Sequence, residues 1–303
     1  MAFAQGSRSR LAYVVESTFG TTPGSPTMLE LPINTHSLNL TKERVQGEEI
    51  RSDRMPRIDR HGNRSVSGDI VVELRDTDYD DFIESAFFSA FDSSGVMKIG
   101  TTPKFMTIED GLLDITQFRQ FTGCGVSTMN VSIAPNQMVM TTFGMVGKDM
   151  NALTATPLDA SPTAPTGGEP FDSYSGAIKE GGSSIAILTA IDFTITNSLA
   201  PTFVIGSDST PQMEYGRAMV EGQITAYFED ATLYNKFVNE TSSSIEVTVD
   251  DPASGNAYTF LFPNVKYNGA DAPLANEQSR VITMPFVSLY DTTEATNLKL
   301  TKA

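Results

Sequence analysis

The chain has 303 residues, with 21 Lys and Arg against 37 Asp and Glu for a formal charge of −16; so acidic a protein does not wrap nucleic acid by neutralising phosphates. Hydrophobic residues at 40% and charged residues at 19% belong to a folded chain with room for about two domains, and no window approaches the ~18 apolar residues of a spanning helix. One cysteine, two histidines and no tryptophan exclude an internal disulfide framework and a cysteine-based zinc cluster, and leave a thin inventory for catalysis.

The first sixteen residues lack the apolar run of a signal peptide, so export is not expected and the chain reads as intracellular. Residues 20–26 are rich in Gly and Pro but have no Lys and no strand-to-helix context. They predict an extended arm or turn, not a phosphate loop. Residues 42–64 collect Lys42, Arg44, Arg51, Arg54, Arg57, Arg60 and Arg64, a third of all Lys and Arg, interleaved with Glu43, Glu48, Glu49, Asp53 and Asp59. A long charged loop over 42–66 follows. It is either a solvated loop with internal ion pairs or a docking loop for an acidic surface on a neighbouring copy.

Residues 66–74 alternate apolar and polar, as a half-buried strand does. Over 78–91, Tyr79, Phe82, Ile83, Ala86, Phe87 and Ala90 fall at helical spacing, with Asp76 or Thr77 as the N-cap. Alternation returns at 129–133 and 138–146. Residues 150–184 carry four prolines, five glycines and almost no alternation, which predicts a linker or long surface crossover. Strands follow at 191–196, 220–228, 245–249, 258–262 and 281–287, with a second short helix over 231–239. The predicted chain is mainly β, with one short helix in each half.

Self-comparison shows a duplication. At an offset of 154, Gly62, Val66, Gly68, Ile70, Leu74 and Asp76 meet Gly216, Val220, Gly222, Ile224, Phe228 and Asp230. At 155, Leu38, Leu40 and Thr41 meet Phe193, Ile195 and Thr196, and Ile50-Arg51-Ser52-Asp53 meets Ile205-Gly206-Ser207-Asp208. Tyr79 and Phe82 likewise meet Tyr234 and Phe237. The expected organisation is a first β domain over 1–149, the crossover over 150–184, and a second domain over 185–303 that repeats the first. Such a chain can close a pseudo-sixfold ring as a trimer.

No catalytic constellation emerges. The acid pairs Glu48-Glu49, Asp80-Asp81 and Asp250-Asp251, and Asp76 with Asp78, have nothing to hold them across a cleft. Asp80-Asp81 sits where a helix's first turn favours negative charge, and residues 250–256 read as a turn, not a calcium loop. His36 and His61 lack a nucleophile at triad spacing. Cys124, between Gly123 and Gly125, has no basic neighbour to activate it.

The opening Val14-Val15-Glu16-Ser17-Thr18-Phe19-Gly20-Thr21-Thr22-Pro23, then Leu31-Pro32, resembles the start of major tail tube proteins of long-tailed (siphovirus-like) bacteriophages. Glu49 to Arg54, Gly62, Gly68, Ile195-Thr196-Asn197-Ser198-Leu199, Ile205-Gly206-Ser207, residues 222–228 and Leu261-Phe262-Pro263-Asn264-Val265 continue the likeness over nearly the whole chain. The resemblance implies tandem β-sandwich or half-barrel domains, each with a flanking helix, joined into a barrel around a channel. It implies a non-enzymatic virion protein without cofactor, metal or membrane, assembled in the host cytoplasm into stacked rings that pass DNA. The partners would be further copies in a trimeric or hexameric ring, the tape measure, tail tip and tail terminator proteins, and genomic DNA that slides without specific binding. The loop over 42–66 would reach the adjacent ring through Arg44, Arg51, Asp53, Arg54, Arg57 and Arg60, while the equivalent segment near 197–215 lacks the arginines. A carbohydrate- or receptor-binding β-sandwich of the tail and a hydrolase with paired acids are the competing readings.

Overall fold

Alternating side chains place one face of each strand in a core. The computed structural model describes residues 3–303 apart from 175, 186, 252, 275, 276 and 278, and the fold is mainly β. In the first half the strands are β1 (Ser9–Val15), β2 (Leu29–Leu31), β3 (Asn39–Gln46), β4 (Asp59–Glu73), β5 (Val96–Lys98), β6 (Met106–Leu112), β7 (Gln117–Ile133) and β8 (Met140–Gly147), with helix α1 (Asp80–Phe87) after β4. In the second they are β9 (Ala177–Glu180), β10 (Leu188–Thr196), β11 (Met219–Tyr227), β12 (Ser243–Asp250), β13 (Ala257–Tyr267), β14 (Val281–Ser288) and β15 (Lys299–Lys302), with α2 (Thr232–Val238) after β11.

All pairings among these strands are antiparallel. In the first half the order is β3–β4–β8–β7, with Leu40 opposite Val66, Ile70 opposite Phe143 and Met129 also opposite Phe143. In the second it is β10–β11–β14–β13, with Ile195 opposite Val220 and Ile224 opposite Met284. β12 and then β9 extend the second series, while β15 pairs with both β13 and β5. The halves are joined where the C-terminal part of β7 pairs with β10, from Ile133 opposite Ile191 to Thr128 opposite Thr196.

The N-terminal part of β7 belongs to a second sheet of order β2–β1–β6–β7. One seventeen-residue strand therefore serves two sheets. It turns at Gly123-Cys124-Gly125, where Gly123 has φ +63° and a Cβ would lie 2.8 Å from Lys148 Cβ and 2.9 Å from the Phe19 ring. A Cβ on Gly125 would lie 2.9 Å from the Phe105 ring. Only glycine fits this crossing.

Inward residues of both halves form one core with Phe82, Ile83 and Phe87 of α1. The helix is shorter than the 78–91 span, and neither Asp76 nor Thr77 caps it; Tyr79 stands at the N-cap without a side-chain capping bond, its hydroxyl donating instead to Pro32 O at 2.7 Å. The acids are engaged elsewhere. Asp78 Oδ1 accepts from the Thr166 and Gly167 amides at 2.9 and 2.8 Å. Asp76 accepts from Asn256 at 2.7 Å and pairs with Lys302 at 2.9 Å. The helix ends at Phe88 with φ +52°, which turns that ring into a small cluster with Leu199 and Met213.

Residues 150–184 cross the first half under restraint: the Thr163 amide donates to Met28 O and the Phe171 amide to Leu74 O, each at 2.8 Å, with Phe171 buried. A further tie between halves is buried Asn197, whose Nδ2 donates to Ala86 O at 2.8 Å and Val126 O at 3.3 Å. Asn197→Ala removes this donor from both carbonyls. It should cost about 2 kcal/mol, read as a lower urea midpoint; an unchanged midpoint would contradict this role.

Candidate assembly interface

The segment 42–66 differs from the loop that the sequence predicts. β3 and β4 continue as a hairpin from Asn39 opposite Ser67 out to Gln46 opposite Asp59, with a bulge between Lys42 and Arg44. Only residues 47–58 form the tip, closed by the Gly47 amide on Ile58 O at 3.0 Å. Periodicity did not reveal the outer strands because both of their faces are exposed. Alternation marks a strand only when one face is buried.

The tip organises itself around Asp53. Its Oδ2 accepts from Arg57 Nη2 at 2.8 Å and Arg51 Nε at 3.4 Å, and its Oδ1 from the Met55 amide at 3.3 Å. The Arg57 bond first, then the amide, holds this carboxyl below its ordinary range. Arg51 also reaches Glu49 at 3.5 Å, and Arg44 pairs with Asp59 at 2.7 Å. Among the described residues Arg54 and Arg60 have no ion-pair partner. The six predicted residues thus share one hairpin, four of them in internal pairs and two with free guanidinium groups.

Two features of this site are not evident from the arginine count. Ile50 is fully exposed at the tip, with Met55 and Val45 largely exposed; in the second half Ile205, its partner in the repeat, is fully exposed too. At the hairpin's base, Arg64 binds Asp149 at 3.1 Å and Asp208 at 3.3 Å, and its amide donates to Asp208 O at 2.8 Å. The segment 197–215 therefore lies against the base of the hairpin. It is pinned to the first half by Tyr215, whose ring meets Phe88 edge-on at 5.0 Å.

Asp80, Asp81 and Asp251 of the acid pairs have structural employment. Asp80 accepts from Lys302 at 2.8 Å and from the Tyr258 hydroxyl, while burial raises its carboxyl above the ordinary value. Asp81 accepts from Lys104 at 2.8 Å and Tyr13 at 3.1 Å. Asp251 closes a turn through the Ala253 amide and the Ser254 hydroxyl, both at 2.8 Å. Asp110 holds His36 at 3.6 Å and binds Arg119. Burial pushes the Cys124 thiol far up, so it has no reactive thiolate. Among the described residues no three His, Cys, Asp or Glu side chains are grouped to hold a metal, and no helix is long and apolar enough to cross a membrane.

A family model described as phage tail tube protein matches residues 6–288. No curated protein matches the chain.

Proposed function

The chain belongs to the phage tail tube protein family, a family of structural tail components and not of enzymes, and from that premise we propose that it polymerises into stacked rings forming a hollow tube for DNA delivery. Each ring holds three chains, whose six halves occupy equivalent positions around a pseudo-sixfold axis. Hairpin β3–β4 reaches the adjacent ring. The observation that carries this reading is the hairpin itself, a two-stranded projection with Ile50 and Met55 in solvent at its charged tip and Arg54 and Arg60 unpaired among the described residues. An isolated hairpin is marginal in water, and exposed Ile50 and Met55 beside free guanidinium groups fit a surface that another copy covers.

The charge of −16 suits such a conduit. An acidic wall repels phosphates, so DNA moves without the counterion release that would hold it on a basic surface. The remaining partners are the tape measure, tail tip and tail terminator proteins, met during assembly in the host cytoplasm. Negative-stain electron microscopy of the concentrated protein should show hollow tubes or stacked rings, with three long subunits in end-on averages. Uniform small particles at every concentration would overturn the proposal.

A further inference from the structure

The junction between the two halves is a template for a second junction whose two sides both lie on the surface, with no strand beside them among the described residues. In the observed junction β10 offers one edge to the C-terminal part of β7. The counterpart of β10 is the strand line 36–41: Leu40 opposite Val66 repeats as Ile195 opposite Val220. The counterpart of the β7 segment is 269–274. Asn130 opposite Thr142 in the first half recurs as Asp271 opposite Thr283 in the second, a difference of 141 at both positions.

The backbone groups on these two edges face outward in the required alternation. The Ser37 amide bonds Asp69 O inward at 2.9 Å, so the N–H and C=O groups of His36, Leu38 and Leu40 point away from the ladder. Asp271 exchanges both of its bonds with Thr283, at 2.9 and 2.8 Å, which leaves those of Ala270, Ala272 and Leu274 pointing out; the Ala272 carbonyl there accepts from Arg280 Nη2 at 2.6 Å, a side-chain bond that the Leu38 amide of a second copy would replace. Pro273, which has no N–H, falls on the inward alternation and takes nothing from the free edge. Among the described residues no strand covers either edge.

Burial marks both edges as incomplete. Ile195 is fully buried beneath β7, whereas its counterpart Leu40 is half-exposed. Ile133 is 8% exposed, whereas its counterpart Leu274 is 75% exposed.

We infer that the edge 36–41 of one copy pairs antiparallel with 269–274 of a second copy, in the register of the internal junction: Leu38 opposite Ala272, Asn39 opposite Asp271, Leu40 opposite Ala270. This deepens the ring proposal and rests on it. The polar pair is complementary as well. In the internal junction Asn130 Nδ2 donates to Thr194 Oγ1 at 3.0 Å; across copies Asn39 supplies the amide donor and Asp271 the carboxylate acceptor. Because the joined edges differ, the contact is head-to-tail, the kind that closes a ring when the rotation between copies divides a full turn.

Asn39 and Asp271 form a non-hydrogen-bonded pair, the closer kind in an antiparallel ladder and a suitable distance for a disulfide. Both are exposed, and buried Cys124 does not compete. Assembled Asn39→Cys/Asp271→Cys protein, oxidised and run without reductant, should give a ladder of linked subunits, and mixing the two single variants should give dimers. Thr41→Cys/Asp271→Cys, a slip of two residues, should link at least about tenfold less. Rings or tubes by microscopy with no 39–271 link, or with equal linking of the slipped pair, would overturn the register and leave the ring proposal standing. A protein monomeric at every concentration and never linked would overturn both.

Discussion

Arg51→Ser, Arg54→Ser and Arg57→Ser introduced together should leave a folded protein that forms tubes poorly. The three side chains lie on the exposed tip, away from the core, so each change should alter monomer stability by no more than about 0.5 kcal/mol. Assembly should respond quite differently. Arg51 and Arg57 neutralise Asp53, and Arg51 reaches Glu49, so their removal deletes cations and uncovers two carboxylates on an already acidic protein. If two interfacial pairs of about 1.4 kcal/mol each are lost, the concentration needed for tube growth rises roughly a hundredfold. Sedimentation of tubes across a concentration series measures this, with Ser at Arg8, Arg217 and Lys266 as the control for charge alone. Tubes that elongate at the unmodified concentration would remove the hairpin from the stacking contact.

Gly123→Val should damage the fold severely. A β-branched residue at φ +63° is strained by about 1–3 kcal/mol. Its Cβ would also stand 2.8 Å from Lys148 Cβ and 2.9 Å from the Phe19 ring, an overpacking cost of about 1–3 kcal/mol more. The sum, about 2–6 kcal/mol, should lower the urea midpoint by roughly 1–2 M. Gly24→Val is the comparison, because nothing lies within 4 Å of a Cβ there. Equal midpoints for the two variants would mean that β7 can turn without a glycine.

What was legible in the sequence follows from which faces are buried. β8 and β14 keep strict alternation because one face of each meets the core. β6 and the first part of β7 carry no such signal. They lie where sheets overlap and are buried on both faces, and they include Glu109, Asp110 and Gln120; Asp110 is tolerated there because Arg119 and His36 answer it. At the candidate interface, the concentration of arginines was visible, but not the strand character of the hairpin or the full exposure of Ile50. The bonds of Arg64 to Asp149 and Asp208 join residues far apart in the chain, and no local pattern could announce them.

The strand shared by the two sheets has a mechanical consequence. A twist imposed on one sheet is carried by a continuous backbone into the other, and the glycine crossing is packed too tightly to act as a loose hinge. The layers of the subunit therefore resist sliding as a riveted lap joint does, with shear spread along the hydrogen-bonded ladders. The slender hairpin, held to the body at its base through Arg64, is the compliant member. In a tube built on this plan, curvature gathers at the seams between rings, where hairpins flex, and each ring keeps its bore open while the whole bends.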